Sequence, residues 1–136
     1  MIQTEALFEH WNTKPAHKNW RSHRIFTPGM KRAARRWLLE GYTVGYLAEA
    51  IDNYYSARTT PGSWWCDVCK QKWDFETFFK GGERKAEYNW KRFEPERFDL
   101  NECFTPEHKR KMAKDKNRRE QLEEIERWKA MLEKKD

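Results

Sequence analysis

A chain of 136 residues suffices for one domain and a tail but not for two full cores. Charged residues, at 37%, match apolar ones at 38%, so the core is small and the surface well solvated. A net charge of +6 and a pI near 9.3 favour a polyanionic partner over an acidic protein or a neutral metabolite.

The apolar share is aromatic in kind: eight Trp, eight Phe and five Tyr stand against few Val and Ile. Large rings can fill a small core, or stack on bases when exposed. The opening residues Met1-Ile2-Gln3-Thr4-Glu5 lack the basic start and apolar run of a signal peptide, and no stretch approaches ~18 consecutive apolar residues. The expected setting is the cytoplasm, with three reduced Cys rather than a disulfide framework.

In chain order, Thr4 to Trp11 reads as a short helix, with Leu7, Phe8 and Trp11 at helical spacing and Thr4 as its cap. Residues 12–28 show no periodicity and read as a loop or loosely held arm between Pro15 and Pro28. Met30, Ala33, Ala34, Trp37 and Leu38 then form one apolar stripe, closed by Gly41 as a C-terminal signal. Thr43 caps a further helix with Val44, Leu47, Ala48, Ile51 and Tyr55 on its inner face. The short turn around Glu40-Gly41-Tyr42 predicts a helical hairpin or helix-turn-helix.

Beyond Pro61-Gly62 comes an aromatic knot of Trp64, Trp65, Trp73, Phe75, Phe78 and Phe79. Asp74 caps a short helix over Phe75 to Phe79, which Gly81-Gly82 stops. Glu83 to Phe93 reads as another helix, with Tyr88 and Trp90 or Phe93 facing inward. The pattern divides the chain into a helical domain over 1–93, a linker over 94–104 and a long charged helix over 105–136, opened by Thr105-Pro106-Glu107. In that helix Leu122, Ile125, Trp128 and Leu132 form a narrow apolar stripe, for packing on the domain or pairing with another helix. The fold class expected is all-α, a small domain around a helical hairpin with a long C-terminal helix.

Charge is spread unevenly. Residues 12–36 hold Lys14, Lys18, Arg21, Arg24, Lys31, Arg32, Arg35 and Arg36 and no acid, a charge of +8 in 25 residues. A solvated face normally mixes signs, and a run of one sign carries self-repulsion that phosphates relieve. Lys18, Arg21, Arg24, Lys31, Arg32, Arg35 and Arg36 are the expected phosphate contacts, and Trp20 the expected ring for stacking on an exposed base. A solubilising surface or a dock for an acidic partner is the plainer reading of the same charges. A second basic run, residues 109–119, carries +6, and residues 120–136 carry −2. That run reads equally as a solvated helix.

Sharper chemistry finds little support. Cys66-Asp67-Val68-Cys69 has zinc-ligand spacing, and Cys103 with His108 could complete a set, but no second such pair exists. Small thiols packed in the aromatic knot are the preferred reading, so no metal or other cofactor is expected. His10, His17, His23 and His108 are scattered, and no carboxylate pair stands beside a Lys at a telling spacing, so no catalytic residue and no enzyme is expected. His17 and His23 are expected to add to the basic arm.

Leu7-Phe8-Glu9-His10-Trp11-Asn12, then Glu40-Gly41-Tyr42-Thr43-Val44, Ala50-Ile51-Asp52, Trp64 with Trp65, and Phe75-Glu76-Thr77-Phe78-Phe79 together resemble the C-terminal domain of phage replisome-organiser proteins, the DnaD-like replication initiation proteins of phages and prophages. The likeness spans residues 5–92. Lys72-Trp73-Asp74 replaces the family's Leu-Arg-Pro, two Cys intrude, and the family's N-terminal winged-helix domain has no counterpart in this sequence. The resemblance implies DNA binding, single strands included, at replication initiation in a bacterial host, with contacts to a helicase, a helicase loader or another replication protein. A stand-alone version of this kind is expected to bind DNA without organising a replisome. The alternatives are a protein adaptor using the aromatic domain and long helix, and a small zinc-binding regulator.

Overall fold

Three capping side chains fix where central helices begin. Thr27 Oγ1 accepts from the Met30 amide at 3.2 Å, Thr43 Oγ1 from Tyr46 at 3.1 Å, and Asp74 Oδ1 from Thr77 at 2.7 Å. In the computed structural model, which describes residues 2–82 and 87–133, α1 spans Ile2–Asn12, α2 Pro28–Leu39, α3 Val44–Thr59, α4 Trp64–Asp67 and α5 Phe75–Lys80. A 3₁₀ turn follows at Asn89–Phe93, then α6 at Leu100–Cys103 and α7 at Pro106–Glu133. Among the described residues there is no strand, so the chain is all-α with a long C-terminal helix, as its pattern implies. No described helix is long and apolar enough to cross a membrane.

The chain divides into two units, Met1–Cys103 and Phe104–Asp136. The core of the first is a set of interlocked rings: Trp11, Trp37, Tyr54, Phe75, Phe78, Phe79, Trp90 and Phe93 are all buried. Tyr54 stacks on Phe78 at 5.0 Å and on Trp73 at 5.4 Å, while Trp37 meets Trp90 edge to face at 5.1 Å. The Trp37 indole N–H reaches the Phe79 carbonyl at 2.9 Å and ties α2 to α5.

Several elements depart from their sequence pattern. Thr4 lies inside α1, which starts at Ile2, so it is not the cap. The Glu40 cap and Gly41, at φ +108°, end α2 as expected. Yet α2 lies chiefly on α5 and α1, and α3 on α1, α4 and the 3₁₀ turn, so the two are joined by their turn more than by a shared face. Because α3 is covered on several sides, its buried set is Leu47, Ala50, Ile51, Tyr54, Ala57 and Arg58, while Val44, Ala48 and Tyr55 are only half-buried. Of the helix expected over 83–93, residues 83–86 lie outside the described residues, and 89–93 is the 3₁₀ turn with Trp90 and Phe93 buried. Gly82, at φ +90°, makes the preceding turn, where an added Cβ would clash with the Glu87 carbonyl.

Of the expected linker, residues 94–103 belong to the first unit and Phe104 to the second. The Tyr46 hydroxyl lies 2.7 Å from a Glu94 carboxylate oxygen and 2.6 Å from one of Glu96, Phe98 packs on Phe93 at 5.5 Å, and α6 packs against α3. In the second unit, Thr105 Oγ1 accepts from the His108 amide at 3.2 Å, fixing the start of α7. Leu122, Ile125, Trp128 and Leu132 are all exposed on that helix.

Candidate nucleic-acid interface

The residues expected to hold phosphates fall on α2 and on the arm that precedes it. At ~100° per residue, Met30, Ala33, Ala34 and Trp37 share one side of α2 and are buried there. Lys31, Arg32, Arg35 and Arg36 then take the opposite side, and all four are exposed. The apolar stripe thus aims the cations outward.

The arm is not loosely held. Asn12 Nδ2 donates to the His23 carbonyl at 3.0 Å and the His23 amide returns a bond to Asn12 Oδ1 at 2.9 Å. The Trp11 indole donates to the Arg21 carbonyl at 2.9 Å, and Phe26 stacks on Phe8 at 4.5 Å. Asn19 Nδ2 bonds the carbonyls of Arg58 at 2.9 Å and Cys66 at 3.1 Å. These ties leave the Lys18, Arg21 and Arg24 side chains exposed while their backbone is fixed. Lys31 Nζ sits 5.5 Å from the Phe26 ring and joins the arm's end to the α2 face, while Lys18 lies at the arm's other end, beside α4.

Among the described residues, Lys18, Arg21, Arg24, Lys31, Arg32 and Arg35 have no carboxylate within ion-pair distance; of the seven, Arg36 alone is paired, with Glu40 at 3.7 Å. Arg36 also lies over Trp37 at 4.9 Å and Tyr88 at 4.8 Å. Lys14 is drawn away to Asp52, which it shares with His10 at 2.6 Å.

Trp20 requires correction. It is 7% exposed, its ring lies 4.1 Å from that of Trp11, and its indole N–H points to the Trp11 carbonyl at 3.3 Å. A ring so enclosed cannot receive a base. His23 does not add to the basic arm either. Its Nε2 accepts from the Phe75 amide at 3.2 Å, and burial holds its pKa below 6.5, although Asp74 works against that shift. His17 Nδ1 accepts from the Asn19 amide at 3.0 Å.

Arg58 was missed by sequence reasoning. It is fully buried on α3, donating to the carbonyls of Trp65 at 2.6 Å, Cys69 at 3.2 Å and Asn19 at 3.4 Å. It ties the arm and the segment around α4 to the core. An Arg near a helix end ordinarily reaches solvent, so no local signal marks this one.

Among the described residues no three His, Cys, Asp or Glu side chains gather as a metal set. Cys66 Sγ lies 3.6 Å from Asn19 Nδ2 and Cys69 Sγ 3.6 Å from the Gln71 carbonyl, and burial pushes the Cys66 thiol pKa up. Comparison with protein-family models, curated proteins and solved structures finds no match to the chain.

Proposed function

We propose that the first unit is a DNA-binding accessory module that grips phosphates through the outward face of α2 and the clasped arm. One observation carries this reading: six exposed cations on neighbouring segments lack any acidic partner among the described residues. Their mutual repulsion is relieved when phosphates displace the counterions. The resemblance over residues 5–92 to phage replisome-organiser domains supports a role at replication initiation, beside a helicase or its loader.

The test is an anisotropy titration with labelled DNA at two salt concentrations. Phosphate-driven binding weakens steeply as salt rises. Binding that is absent at low salt, or indifferent to salt, rejects the proposal.

A second reading rests on a different observation, the exposed Leu122, Ile125, Trp128 and Leu132 of α7. An apolar stripe of that kind suits a protein partner, such as a replication or transcription enzyme. Binding of such a partner would survive salt that dissociates DNA.

A further inference from the structure

The DNA-binding reading leaves open which form of DNA the surface fits, and two exposed aliphatic side chains bear on that. Taking Lys31 as zero and ~100° per residue, Arg35 falls near 40°, Arg32 near 100° and Arg36 near 140°. Leu39 falls near 80°, between the two cationic rows, and is 75% exposed. Ile25, next to Arg24 on the arm, is 73% exposed. No other large hydrophobic side chain described in the first unit is as open. Leu39, the last residue of α2, thus sets one apolar side chain between the row of Lys31 and Arg35 and the row of Arg32 and Arg36.

Single strands are held by exposed rings that stack on splayed bases. The rings of this surface are already committed. Trp20 and Trp37 are buried, and Phe26 has Phe8 against one face and lies edge to face with Phe75 at 5.8 Å. The first unit's exposed ring, Trp64, belongs to α4, which lies beside Lys18 at the far end of the arm and is not among the helices packed on α2. Aliphatic side chains cannot stack in this way, but they fit against thymine methyls and sugar edges inside a groove. The B-form major groove is wide enough for an α-helix, and its two walls are lined with phosphates.

We infer that the partner is double-stranded DNA, with α2 in the major groove: the cationic rows reach phosphates on opposite walls, and Leu39 faces the base-pair edges while Ile25 touches the groove at the arm. This rests on the DNA-binding reading and narrows it to one form of DNA.

The test is anisotropy with a 20-base-pair duplex and each of its two strands, at two salt concentrations, using the full chain. The duplex is expected to bind more tightly than either strand. Leu39→Ala, at an exposed position that leaves the fold intact by circular dichroism, is expected to weaken duplex binding about tenfold. Its salt slope should be unchanged, since no charge is lost. Arg32→Ala should instead lower the slope by about one, and Trp64→Ala should leave duplex binding as it is. Single strands binding as tightly as the duplex, loss of binding in Trp64→Ala, or full duplex affinity in Leu39→Ala would each overturn the duplex assignment. Absence of salt-dependent binding to any of the three DNAs would remove the DNA-binding reading itself.

Discussion

Trp11 and Trp20 lie ring against ring at 4.1 Å, and each indole N–H is spent on backbone: Trp20 on the Trp11 carbonyl, Trp11 on that of Arg21. Two rings from helix and arm thus share one buried contact. Trp20→Ala removes a large side chain from a filled core and should cost about 3–5 kcal/mol in urea unfolding. A loss below 1 kcal/mol would mean that the ring is not packed as described.

Arg58 leads to a second expectation. Arg58→Ala strands the carbonyls it binds and opens a cavity, and should cost roughly 3 kcal/mol. The same variant should raise proteolytic cleavage between residues 60 and 73, where its partners Trp65 and Cys69 lie. An unchanged cleavage pattern would show that the segment holds without it.

The α2 cations should separate by their partners. Arg32→Ala and Arg35→Ala remove side chains with no acid nearby, so stability should stay within about 0.5 kcal/mol of the native chain. Arg36→Ala forfeits the cover over Trp37 and Tyr88 and should cost about 0.5–1 kcal/mol. Thermal unfolding of the three variants side by side checks the order, and equal losses would contradict it.

The pH dependence follows from His23. Its folded pKa is lowered by burial, so the unfolded chain takes up the proton more readily. The stability this gives is whole above about pH 6.5, the unfolded value, and is lost as the pH falls through that value toward the lower folded pKa. Urea midpoints at pH 7.5 and 5.5 should drop further for the native chain than for His23→Leu, and equal drops would rule His23 out as the cause.

Capping chemistry made much of the fold legible. Thr43, Asp74 and Thr105 stand where the sequence placed them, because a side-chain oxygen before an apolar period has few other uses. Packing was harder to read. The buried side of α3 follows from being covered by several neighbours, and no single stripe encodes that. The segment over residues 94–103 lacks helical period and reads as a linker, yet Tyr46, from α3, and Phe93 hold it through Glu94 and Phe98. At the candidate site the outward side of the α2 cations was legible from the apolar stripe opposite them, whereas the ion pair that draws Lys14 out of the charge run was not. The fate of Trp20 was not, because an indole flanked by cations suits a core and a base equally.

The reciprocal Asn12–His23 bonds have a thermodynamic consequence. Basic tails that fold only upon contact spend part of their affinity on ordering themselves, whereas an arm already fastened has met that entropic demand during folding. Binding of the proposed kind would then resemble rigid docking, with a modest heat-capacity change, and ionic strength would govern how quickly the two molecules meet.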